Sequence, residues 1–83
     1  MKFKFSNHAL EQIQLRQISR KTVDKILAKP EQTKRETGKT IYQSVVMLSG
    51  KKYLFRIFVN HLKNPNLIIT VYKTSKIKKY YEG

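Results

Sequence analysis

A chain of 83 residues sets the scale for one domain, 1–83, whose core is marginal by size. It contains no cysteine, which excludes a disulfide framework, a thiolate zinc site and a cysteine nucleophile, and which fits a cytoplasmic setting. Eighteen Lys and Arg against five Asp and Glu give a formal charge of +13, an excess that repels itself unless a polyanion or an acidic protein binds it.

The opening residues, MKFKFSNHALEQ, hold no apolar signal segment. No later stretch approaches the roughly eighteen apolar residues of a membrane span, so no membrane partner is expected. Lys2, Phe3, Lys4 and Phe5 alternate with the period of a half-buried strand. Ser6 or Asn7 can cap the helix that follows, where Ala9, Leu10, Ile13 and Ile18 recur at helical spacing. Ser19 opens a second helix in SRKTVDKILAKP, with Val23, Ile26 and Leu27 as its buried stripe and Pro30 just past its end. With almost no linker, the two helices should form a tight corner.

The period then changes. QTKRE turns at Thr37-Gly38 into KTIYQSVVMLS, Ser49-Gly50 turns into KKYLFRIFVN, and HLKNPN is a longer loop before LIITVYKT. Three strong strands and one weak one read as an antiparallel meander. The expected fold is α+β: two N-terminal helices packed on one face of a four- to five-stranded antiparallel sheet, in the order β-α-α-β-β-β-β.

A helical layer on one side leaves the other sheet face open for function. On the strand at 53–60, Phe55, Ile57 and Val59 form the core set, and Leu54, Arg56 and Phe58 the opposite one. On the last strand, Ile69 and Val71 oppose Ile68, Thr70 and Tyr72. Arg56 interrupts an apolar strand, where an unpaired guanidinium is costly to bury. It belongs on the open face or its edge, near Thr70 or Tyr72; the alternative is an Arg whose stem merely covers apolar surface.

His8 falls in the first turn of the first helix, where the positive end of the helix dipole keeps a neutral base available. A lone capping histidine is the plainer reading, and His61 sits in a polar turn with no role. Two distant His and five scattered acids supply no metal-ligand spacing, and no phosphate-loop or dinucleotide fingerprint occurs, so neither metal nor cofactor is expected. Arg, Lys, Tyr and His suit metal-free phosphodiester chemistry on RNA. The ribose 2′-OH is the nucleophile, Arg and Lys stabilise charge on the phosphorane, and His, Lys or Tyr exchange protons. The same residues also suit plain RNA binding, with Tyr stacking on bases.

SNHALEQIQLRQIS resembles the opening of a family of small bacterial domains, and FRIFV with LIITVYKTSKIKKY resembles its central and last strands. That family is similar to the RelE-like and BrnT-like toxins of type II toxin–antitoxin pairs, which share the barnase–EndoU–colicin–RelE fold. The resemblance implies a metal-independent endoribonuclease neutralised by an antitoxin. Its matching positions are His8, Arg16, Arg56 and Tyr72, followed by the basic tail from Lys73. Gln12 stands where the family pattern prefers Arg, and Gln17 where Gly is usual.

In this reading the end of the last strand and the tail line a phosphate site. Tyr72 orients or protonates, Lys73, Lys76, Lys78 and Lys79 attract phosphate, and Thr74 and Ser75 donate hydrogen bonds. The bland alternative is a solvated tail with Tyr80 and Tyr81 packed on a helix. The implied partners are an acidic antitoxin protein and RNA, mRNA free or on the ribosome. Two other classes remain open: a non-catalytic RNA-binding module, and a basic domain that docks an acidic protein.

Overall fold

Ser6 makes the first junction of the chain. It ends β1 (Phe3–Phe5) and caps α1 (Asn7–Leu15), its hydroxyl accepting from the Ala9 N–H at 3.0 Å and donating to the Ile69 carbonyl at 3.1 Å. Such a cap is worth about 1 kcal/mol. The computed structural model describes residues 3–82, so Lys2 of the expected first strand and Gly83 lie outside the described residues. Gln17 then turns the chain with φ 53°. That left-handed backbone costs any residue with a Cβ roughly 1 kcal/mol. Ser19 caps α2 (Arg20–Ala28) through the Lys21 N–H at 3.1 Å.

Four strands follow as a meander: β2 (Gln32–Glu36), β3 (Lys39–Leu48), β4 (Lys51–Asn60) and β5 (Asn66–Thr74). Ser49 and Gly50, with φ 49° and 78°, form the two-residue hairpin between β3 and β4. The strand order is β1-β5-β4-β3-β2. The helices carry the chain from β1 to the far edge, and the meander returns β5 alongside β1 in the same direction. Their pairing is parallel, Phe3 to Asn66 and Phe5 to Ile68, so the five-stranded sheet is mixed and not wholly antiparallel as expected. A third, four-residue helix, α3 (Ile77–Tyr80), follows β5 and was not expected.

Both N-terminal helices lie on one face. Ala9, Ile13, Ile18, Val23, Ile26 and Leu27 bury against Phe55, Ile57, Val59, Ile68 and Val71, each large side chain contributing roughly 1.5–3 kcal/mol. The expected faces of β4 are correct, and those of β5 only in part. A register shift at Phe58/Val59 pairs Phe58 with Thr70 and Val59 with Ile68, leaving Ile69 as the extra residue of a bulge. Strict alternation therefore fails at one step, and Ile68, fully buried, faces the helices in place of Ile69.

Candidate functional site

The site begins with a row across three strands. Gln43 of β3 pairs with Arg56 of β4, and Arg56 pairs with Tyr72 of β5, so all three side chains emerge on the face opposite the helices. Arg56 Nε donates to Gln43 Oε1 at 3.0 Å and Nη1 donates to the Tyr72 oxygen at 2.9 Å. The Gln43 amide in turn donates to Gln32 Oε1 at 2.7 Å and to the Tyr80 carbonyl at 3.2 Å. Gln43 is fully buried and Arg56 is 7% exposed.

A guanidinium this deep is normally held by a carboxylate. Among the described residues none pairs with Arg56. Aromatic faces and neutral oxygens compensate it: the rings of Tyr80, Phe58 and Tyr72 have centroids 4.3, 5.3 and 5.9 Å from its Cζ. Two of its five N–H donors are committed to Gln43 and Tyr72, and a planar fork held this way suits an incoming phosphate. Tyr72 accepts from Arg56, which leaves its own O–H proton for another acceptor.

The face expected to be open is closed by the chain itself. After Thr74, whose hydroxyl accepts from the Lys76 N–H at 3.1 Å, α3 folds back over the row. The Tyr80 carbonyl also accepts from Lys34 Nζ at 3.0 Å, and Glu82 pairs with Lys34 at 3.3 Å. Tyr80 thus packs on the sheet and Arg56, edge-on to Tyr72 at 6.5 Å, and not on a helix.

The remaining expected residues divide into three groups. Arg16 joins the row from the end of α1: Gln12 Oε1 accepts from its Nε at 2.7 Å, and its guanidinium lies 5.7 Å from the Tyr72 ring. Gln12 therefore positions the Arg16 cation beside the row. His8 is exposed in the first turn of α1, and among the described residues no hydrogen bond links it to Arg56 or Tyr72. Lys73 pairs with Phe55 and so projects to the helix side, where its Nζ sits 5.6 Å from the Tyr53 ring. The alternation of β5 sends it away from Tyr72, a separation that its place in the basic run does not reveal. Ser75, Lys76, Lys78 and Lys79 are exposed around an open cleft of about 490 Å³ whose lining includes no residue of the row. His61 bonds Thr40 Oγ1 at 2.9 Å.

The local field is one-sided. All five acidic residues lie outside 37–81, the span that contains β3 through α3, and among the described residues only the carboxylates of Glu31, at the Val45 N–H, and Glu82, at Lys34, are seen to reach its edge. Burial raises the Tyr80 phenol, but the positive charges of Lys79 and Arg56 and hydrogen bonds with Tyr72 and Lys79 outweigh it, leaving its pKa below the ordinary tyrosine value. Burial and the Glu31 carboxylate push Tyr81 above it. Because Tyr80 releases its proton more readily folded than unfolded, its ionisation adds stability only as pH rises above its folded pKa. Ultraviolet titration should show a phenol that ionises below the ordinary tyrosine value disappearing in Tyr80→Phe and one that ionises above it disappearing in Tyr81→Phe; the reverse assignment would contradict this charge distribution.

Among the described residues no group of three His, Asp or Glu is placed to hold a metal ion, and no helix is long and apolar enough to cross a membrane. Fold and site together define an α+β domain that presents a buried arginine, two tyrosines and a basic margin on one sheet face. The chain belongs to the family described as "Domain of unknown function (DUF4258)", which matches residues 5–73. Neither a curated protein nor a solved structure matches it.

Proposed function

We propose that this protein is a metal-independent endoribonuclease of the RelE-like kind, the toxin of a type II pair, acting from the Arg56–Tyr72 row. The single observation that carries this reading is the buried Arg56 guanidinium, fixed by Gln43 and Tyr72 with no carboxylate partner among the described residues. In the proposed step the 2′-OH of RNA gives its proton to solvent water, its oxygen bonds to the adjacent phosphorus, and the bond from phosphorus to the 5′-oxygen breaks. Arg56 donates to the non-bridging oxygens as charge builds, Tyr72 gives its proton to the departing 5′-oxygen, and a 2′,3′-cyclic phosphate forms. Arg16 and the lysines at 76, 78 and 79 supply the field that brings the backbone in. An acidic antitoxin would neutralise the same cations.

One observation favours a second reading. His8, the expected base, stands apart from the row, and an arginine between aromatic rings is also how a binding module holds single-stranded RNA. Incubation in excess EDTA separates the two. The nuclease should cut single-stranded RNA and leave the same sequence in DNA intact. Binding of RNA with no cutting would select the module, and EDTA-sensitive cutting would exclude the proposed mechanism.

A further inference from the structure

Resting on the reading of the Arg56 row as an RNA site, we propose that the segment Lys76–Glu82 is a displaceable strap that occupies this site and yields it to single-stranded RNA. The strap holds the positions a nucleotide would need. The Tyr80 ring covers the Arg56 guanidinium at 4.3 Å, where a base or phosphate would stack or pair. The Glu82 carboxylate, the only acid in the segment, stands against Lys34 at 3.3 Å as a phosphate oxygen would. The Tyr80 carbonyl takes the donors of Lys34 and Gln43, and Gln32 bonds the backbone of Glu82 on both its sides.

The way the strap is held makes it releasable. No residue of α3 is buried, the helix has four residues, and no side chain caps its start. Its attachments include the bonds to Lys34, Gln43 and Gln32, the Tyr80 ring over Arg56 and the half-buried Tyr81, and Glu82 is 81% exposed in its ion pair. Segments attached in this way open locally without unfolding the core. Charge supplies the direction. The closed strap sets the Lys79 Nζ 5.4 Å from the centroid of the Tyr80 ring, which also covers Arg56, so a bound polyanion relieves a repulsion that closure maintains. The strap also lies beyond residue 73, outside the part of the chain that matches the family.

The test follows amide exchange of the whole chain with and without a saturating single-stranded RNA oligonucleotide. The Glu82 amide, bonded to Gln32 at 3.2 Å, and the Gln43 side-chain amide, bonded to the Tyr80 carbonyl at 3.2 Å, report the attachment of the strap to the sheet. RNA should accelerate both by roughly tenfold or more, the scale of a strap moved from mostly closed to mostly open. Glu82→Gln should accelerate them without RNA, whereas Glu36→Gln, the same charge change on the exposed edge strand, should not. Slowed or unchanged exchange at these amides on RNA binding would overturn the strap. RNA that binds and speeds them but is never cut would leave the strap standing and remove only the nuclease reading. RNA that binds no variant would overturn both.

Discussion

Arg56→Ala should reduce single-turnover cleavage of RNA by about 10²–10³-fold, the scale for losing one preorganised donor to transition-state charge. The expectation follows from how the side chain is held. Its fork is oriented by Gln43 at 3.0 Å and Tyr72 at 2.9 Å, so no reorganisation is needed when the phosphorane forms. Arg56→Lys keeps the charge but cannot bond both neighbours, and should recover RNA affinity more than rate. Circular dichroism of both variants must match the parent. A folded Arg56→Ala protein that cuts at the parental rate would remove Arg56 from the site.

Gln43→Ala should cost about 3 kcal/mol, because it leaves the buried Arg56 Nε–H without its acceptor and removes one of the two donors that serve Gln32 Oε1 and the Tyr80 carbonyl. For a domain of this size that corresponds to a fall in Tm of roughly 10–20 °C. Gln43→Glu separates stability from function. A carboxylate in this position pairs with Arg56 but cannot donate to Gln32 or the Tyr80 carbonyl, and it neutralises the charge that the proposed RNA site uses. Gln43→Glu should therefore melt above Gln43→Ala, though below the parent, while cutting RNA no faster than Gln43→Ala. A Gln43→Ala protein as stable as the parent would show that Arg56 is not held through Gln43.

The fold was legible where local chemistry decides it. Ser6 and Ser19 cap the helices, Ser49-Gly50 turns the hairpin, and the alternation of β4 separates Arg56 from Phe55 and Ile57. The parallel β1–β5 pairing depends on where two helices deliver the chain, which no local pattern encodes. Ile68 was assigned to the wrong face because a bulge inserts one residue between two correct stretches of alternation.

Of the site, the pairing of Arg56 with Tyr72 was within reach of the sequence, because both break apolar strands with the same parity. Gln43 was missed although the same signal marks it: a polar amide in the middle of TIYQSVV, on the strand next to Arg56. Tyr80 could not be placed by periodicity, since the tail's position is set by long-range bonds to Lys34 and Gln43. The separation of Lys73 from Tyr72 follows from strand geometry overriding the visual unity of a basic run.

The chemistry of the cut ends tests the central claim most directly. Single-stranded RNA is treated with parent and Arg56→Ala proteins in excess EDTA, and the product termini are identified by mass spectrometry. Attack by the 2′-OH at the Arg56–Tyr72 row should yield 2′,3′-cyclic phosphate and 5′-hydroxyl ends from the parent, with little product from Arg56→Ala. Products carrying 5′-phosphate ends, or the same yield of cyclic phosphate from both proteins, would contradict it.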